Sequence, residues 1–269
     1  MKAYDRKIII SGISTAMTSR DGDGPALVCI HGNSLSRNMF KPLFDSDQLW
    51  GRRIISYDLP GHGESAWSKD PASSYTLRGF AMHLVALIGA VNIEKAVILG
   101  VSLGGHIAMQ ALSAGLISRP AGFVTIGSPP IASPSDLSQA FLPLPGGVSL
   151  FNEHISEAEA RAIVSCISAN PKDYEGMLTA ILTSDPQSRA TLLRDIVNTP
   201  FQNEGAFIAS SKLPSLLCFG ENDQAINLDY FRSQSNSPCM LCGEAHLPDF
   251  SRPNGFLSHL SSFLDSIDG

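Results

Sequence analysis

Positive charge is in short supply in this sequence: 19 lysines and arginines stand against 25 aspartates and glutamates, a formal net charge of −6. That balance gives no cationic field for a phosphate backbone and no polybasic patch for anionic lipid, so neither nucleic acid nor a membrane surface is expected as a partner. Long apolar runs are lacking too. The opening stretch MKAYDRKIIISG holds only the triplet Ile8-Ile9-Ile10, far short of a signal-peptide core of about 7–15 residues or a spanning helix of about 20. The reading is a cytoplasmic protein. Cysteines number five, Cys29, Cys166, Cys218, Cys239 and Cys242, and sit mostly in apolar segments, which fits reduced core thiols rather than a disulfide framework. Cys239 and Cys242 match C-x-x-C, yet residues three apart on a strand point to opposite faces, and no second pair or spaced histidines complete a metal site. They read as structural thiols. No internal repeat is present.

What is there is a regular alternation. The 269 residues, 43% of them hydrophobic, suffice for one large core or for a core domain carrying an insertion. KIIIS (7–11) and ISTAMTS (13–19), joined at Gly12, read as an antiparallel hairpin. ALVCI (26–30), RIISY (53–57), AVILG (96–100), GFVTIG (122–127), PSLLCFG (214–220) and PCMLC (238–242) read as buried parallel strands, near-continuous in apolar residues as burial on both faces requires. Between them, residues 74–92 carry Leu77, Phe80, Ala81, Leu84, Leu87 and Ile88 at helical spacing. A Pro- and Ser-rich stretch at 128–147 leaves this pattern. Three helical segments follow between Ser156 and Asn198, with a capping-box signature at Ser156 and Glu159 and breaks at Pro171 and Pro186. The expected architecture is a mostly parallel eight-stranded sheet flanked by helices, with a core domain of residues 1–132 and 205–269 and a helical cap at 133–204, inserted after the sixth strand.

The chemistry concentrates in GVSLGG (100–105). Between a strand and a helix, G-x-S-x-G puts its serine on a sharp, strained turn whose neighbours must be small, lifting Ser102 Oγ above the carboxyl ends of the strands. The amide of Leu103 then lies at a helix N-terminus, where negative charge is favoured. A serine hydroxyl needs a base, and the base needs an acid to fix its tautomer. Among seven histidines, His246 falls in a loop after the last strand. Asp223 lies in FGENDQAIN after the preceding strand, with Glu221 as its neighbour. His83 and His259 on helices, His154 opening the insertion, His106 after the nucleophile, and His31 and His62 in turns all read as structural. A second oxyanion donor is expected from HGNS (31–34), at the backbone N–H of Asn33. No cluster has metal-ligand spacing, and no cofactor is required.

With HGNS (31–34), DLPGHGES (58–65), GVSLGG (100–105), the Asp223 loop and GEAHLPDFSRP (243–253) together, the chain resembles the α/β-hydrolase superfamily along nearly its whole length. The resemblance implies a Ser102–His246–Asp223 triad in that chain order, Asp223 rather than Glu221 as the acid. Within the superfamily, SLGGHI (102–107), IGSPP (126–130) and TSDPQSRATLL (183–193) look like the N-acyl-homoserine lactonases of this fold. Those enzymes carry a lactone-touching tyrosine in the cap where this sequence has Ile163. The resemblance implies a serine hydrolase of a small-molecule ester or lactone, with a homodimer left open. Haloalkane dehalogenases share the HGN turn but place an aspartate where Ser102 stands. Carbon–carbon bond hydrolases, perhydrolases and slow-turnover ligand receptors of the fold keep the triad and remain alternatives. Phe141, Phe151 and Ile163 are the expected acyl-pocket residues of the cap, beside Leu142 and Leu144.

Overall fold

Ser11 and Gly12 both have positive φ, 48° and 81°, the signature of a two-residue type I′ turn that matches the twist of the strands it joins. Strand β1 (Tyr4–Ile10) therefore folds straight back as β2 (Ile13–Arg20), with Ile10 opposite Ile13. The computed structural model describes residues 2–168, 170–234, 239–241, 245–252 and 254–268. Strands β3 (Asp23–Ile30), β4 (Arg52–Tyr57), β5 (Ala96–Val101), β6 (Pro120–Ile126), β7 (Ser215–Phe219) and β8 (Cys239–Leu241) complete one eight-stranded sheet of order β1-β2-β4-β3-β5-β6-β7-β8. The pairings β1–β2 and β2–β4 are antiparallel and the other five are parallel. The expected eight strands are all present. The Cys242 side of the C-x-x-C pair lies outside the described residues, as does the Cys239 side chain.

The period of two in the central strands divides the core in two. Val28, Ile30 and Ile98 join one apolar cluster, while Leu27, Cys29, Val97 and Leu99 join another on the opposite face. Helices α1 (Lys41–Asp45), α2 (Pro71–Ser74), α3 (Leu77–Ala90) and α4 (Leu103–Ser113) alternate with the first six strands. The helix expected over 74–92 is shorter than that range but spans every position of its apolar pattern, Leu77 to Ile88. Thr76 caps α3, its side chain accepting from Gly79 N, and Tyr75 leaves α2 in a non-helical conformation.

After β6 come α5 (Leu137–Ala140), α6 (Glu157–Ile167), α7 (Tyr174–Thr183) and α8 (Pro186–Asn198), then α9 (Glu204–Ser210), α10 (Leu228–Gln234) and α11 (Phe256–Asp268). The capping box of Ser156 and Glu159 opens α6, and Pro186 occupies the first turn of α8 with Asp185 as its N-cap. Helices α6 and α7 have no apolar core of their own. Val164, Ile167, Met177, Leu178 and Ile181 pack into the same cluster as Leu35, Phe40, Leu247 and Phe250 of the sheet layer.

Candidate active site

Strand β5 ends at Val101 and α4 begins at Leu103, which leaves one residue to make the turn. Ser102 makes it at φ 52°, ψ −116°, a region that disfavours any residue with a Cβ and that persists only where surrounding contacts impose it. Here the contacts are a hydrogen bond from Ser102 N to Ile126 O at 2.7 Å and one from Ser128 Oγ to Ser102 O at 2.8 Å. Strand and helix approach so closely that a Cβ on Gly100 would collide with the Gly104 backbone.

The turn after β3 meets this elbow. A Cβ on Gly32 would stand 3.4 Å from Ser102 Cβ. His31 anchors the turn: Leu59 N donates to its Nε2 at 3.0 Å, so the ring proton is on Nδ1 and is donated to Gly32 O at 2.8 Å. Burial holds His31 neutral, its pKa lowered to about 4. The Asn33 side chain donates to Leu150 O of the cap at 2.9 Å, leaving the backbone N–H for other work. Neither the Asn33 nor the Leu103 amide has a hydrogen-bond partner among the described residues. For Leu103 the reason is positional, since the first N–H groups of a helix have no intrahelical acceptor.

Asp223 and His246 arrive from the loops after β7 and β8. His246 Nδ1 lies 2.8 Å from Asp223 Oδ2, and Asp223 Oδ1 accepts from Ala225 N at 2.8 Å. Both residues are buried, while Glu221 is exposed. With its Nδ1 proton given to a carboxylate, the imidazole carries its free lone pair on Nε2. The ring rests on Gly127, where an added Cβ would stand 2.6 Å from His246 Cε1. Residues 126–128 thus touch Ser102 on one side and His246 on the other, which brings the two together across three residues of chain. A serine on a strained turn, an imidazole whose tautomer is fixed and two amides without partners are parts that acyl transfer can use.

The residues expected to line an acyl pocket are placed differently from one another. Phe141 is half-buried, with its ring 6.0 Å from that of His106, and it pairs with Ile226 in the acid loop. Phe151 is half-buried at the end of the cap segment that receives the Asn33 bond. Ile163 is fully buried in the apolar cluster shared by cap and sheet, so its side chain is engaged in packing. Sequence reasoning missed Gly127, Ser128 and Glu204. The first two lie in the IGSPP motif, but no local pattern says which side chains meet there. A cleft of about 870 Å³ lined by Trp50, Arg53, Lys95 and Arg119 opens at the amino ends of the strands, the opposite edge of the sheet from Ser102. It is not the site of this chemistry. Among the described residues no three His, Cys, Asp or Glu are grouped to hold a metal ion, and no helix is long and apolar enough to cross a membrane.

Comparison with known proteins gives a consistent picture. Residues 25–233 match a family model described by the alpha/beta hydrolase fold. The chain superposes on a crystal structure of an N-acyl homoserine lactonase mutant complexed with N-hexanoyl homoserine, with TM-score 0.91, 24% identity and coverage of 99% of this chain and 98% of that one. On an esterase from Rhodococcus sp. ECU1013 the TM-score is 0.78, with 20% identity over 99% of this chain and 100% of that one. A proline iminopeptidase of Lactobacillus helveticus is 34% identical over 112 residues, 40% of this chain and 38% of that enzyme. The match therefore spans well under half the length of that curated relative. A 3-hydroxybutyrate-oligomer hydrolase of Cupriavidus necator is 30% identical over 165 residues, 58% of this chain and 53% of that hydrolase.

Proposed function

Because the chain belongs to the α/β-hydrolase family, we propose that it is a serine hydrolase that cleaves carboxylic esters or lactones through an acyl-enzyme. One observation carries the reading: the Asp223–His246 pair leans on the same short turn that hydrogen-bonds the strained Ser102. His246 Nε2 takes the Ser102 hydroxyl proton as Oγ attacks the carbonyl carbon, and Asp223 stabilises the imidazolium that forms. The Asn33 and Leu103 amides receive the negative charge on the former carbonyl oxygen, each such donor contributing about 3 kcal/mol at the transition state. His246 then protonates the leaving alkoxide, which departs from an open-chain ester and stays tethered in a lactone. Water attacks the acyl-enzyme with the same histidine as base, restoring Ser102 and releasing the acid.

The substrate class is supported by the contacts that Phe141, Leu142 and Leu150 make with the Asp223 and Asn33 loops and by the resemblance in fold to esterases and an acyl-homoserine lactonase. The test compares p-nitrophenyl esters of increasing chain length with acyl-homoserine lactones, products being resolved by mass. Sustained turnover is expected on at least one class. Ser102→Ala should retain no more than about a thousandth of wild-type kcat, with an unchanged circular dichroism spectrum. A well-folded variant that keeps more removes Ser102 from the role of nucleophile.

A further inference from the structure

Glu204, the first residue of α9, is fully buried, and a carboxylate out of reach of water must find its donors within the protein. It finds three. Oε2 accepts from His106 Nδ1 at 2.9 Å and from Ile131 N at 3.1 Å, and Oε1 accepts from Gln110 Nε2 at 2.9 Å. The backbone closes the same junction, with Glu204 N donating to Ile131 O at 3.0 Å and Gln202 N donating to Gln110 Oε1 at 2.8 Å. Ile131 lies where the chain leaves the sheet for the cap, and Glu204 where it comes back. His106 and Gln110 lie one turn apart on α4, the helix that begins directly after Ser102.

Phe141 extends the connection. Its ring stands against His106, Leu142 N donates to Ala225 O at 2.8 Å, and Ala225 N in turn donates to Asp223 Oδ1. The root of the cap is thus held between the nucleophile helix and the acid loop. We propose that His106, Gln110 and Glu204 form a clamp that fixes the root of the cap against the nucleophile helix, making them positioning residues that set acyl-chain preference. The inference rests on the ester-hydrolase reading for its substrate, but not for its geometry. A rigid root holds Phe141 at one distance from Ser102. A released root lets the apolar wall drift while the elbow, fixed separately by Ile126 and Ser128, keeps its shape.

The test has two arms. The first needs no activity: in the wild-type protein, the Ile131 and Glu204 amides should exchange with deuterium at least about a hundredfold more slowly than the amide of exposed Val148 in the cap. Exchange within tenfold of Val148 would overturn the clamp, whatever the enzyme does to esters. The second arm separates donation from packing. His106→Phe keeps a ring beside Phe141 but leaves Glu204 short of a donor, whereas His106→Asn places a side-chain N–H near the position of Nδ1. His106→Phe should raise KM for long-chain esters roughly tenfold with kcat on p-nitrophenyl acetate within about threefold, and His106→Asn should restore the long-to-short ratio. Equal losses on short and long substrates, or an asparagine variant as impaired as the phenylalanine one, would overturn the proposal. Absence of ester turnover in the wild type would instead remove the ester-hydrolase reading and leave the exchange result to decide the clamp.

Discussion

Gly127 shows how much one missing side chain can contribute to a site. Its φ of +61° already disfavours any L-residue, and the space where a Cβ would go is taken by the His246 ring. Gly127→Ala therefore combines a backbone penalty of about 1–2 kcal/mol with displacement of the His246 ring, the base of the proposed mechanism. Displacement of a catalytic group by about 1 Å can lower turnover on the order of a hundredfold. The expected result is a folded variant with kcat reduced to that degree and with its Ser102 far less reactive toward a fluorophosphonate. A variant with unchanged kcat would show that the imidazole works from some other position. The two neighbouring carboxylates also differ at this scale. Asp223 is buried and bonded to His246 Nδ1, while Glu221, two residues earlier, is exposed.

The helical segment between β6 and β7 is bound to the rest of the chain by several independent contacts. Leu150 O receives the Asn33 side chain, Ile167 O receives Leu247 N at 2.8 Å next to His246, and Ala225 O receives Leu142 N next to Asp223. Its internal staple is Arg189, 2% exposed on α8. The guanidinium donates from Nε to Asn152 O, from Nη2 to Glu153 O and from Nη1 to Ser184 Oγ, at 2.8, 2.8 and 2.7 Å. Alongside it, Asp185 N donates to Gly61 O and Asp185 Oδ2 accepts from Tyr75 OH at 2.6 Å, tying the α7–α8 turn to the sheet domain. Arg189→Leu keeps much of the volume but removes the donor from the buried Ser184 Oγ and the two partly buried carbonyls, an acceptor left dry costing about 1–3 kcal/mol. A loss of roughly 2–5 kcal/mol in urea unfolding is expected. A change below about 0.5 kcal/mol would mean that water replaces the guanidinium, and that the cap holds without it.

For the molecule as a whole, three buried histidines set the acid limit. His31 and His83 are lowered to about 4 and His62 to about 3, burial being the main cause in each case, with the neighbouring His31 adding to the effect at His62. The two turn histidines face each other with ring centroids 5.2 Å apart. Unfolded, each titrates near 6.5. Between that value and the folded one, the unfolded chain binds more protons, so stability present above pH 6.5 is lost as the pH falls. Each histidine contributes a slope of about 1.4 kcal/mol per pH unit across its window. Urea midpoints should hold level from pH 8 to 7 and drop steeply between pH 6 and 4. His83→Gln, lifting one of the three, should make that drop shallower. A flat profile to pH 4 would show that these rings stay neutral in the unfolded chain as well, or reach water in the folded one.

Much of this was legible in the residues alone. Period and apolar content located all eight strands, because a strand buried on both faces has few other compositions open to it. The motif G-x-S-x-G located Ser102, because a strand-to-helix turn of one residue needs small neighbours whatever the rest of the chain does. Ser156 with Glu159 marked a helix start, since caps act over only a few residues, whereas Pro186, read as a break, stands in the first turn of α8. What the sequence could not determine is everything that depends on residues far apart in the chain. The fit of Gly127 to His246 and the burial of Glu204 against His106 join positions 119 and 98 residues apart, and Ile163 packs into an apolar cluster with residues of the distant strands β3 and β5. Such pairings follow from how the parallel sheet and its crossovers set one loop beside another. Local pattern names the groups able to do chemistry, and only the closed tertiary structure decides which of them touch.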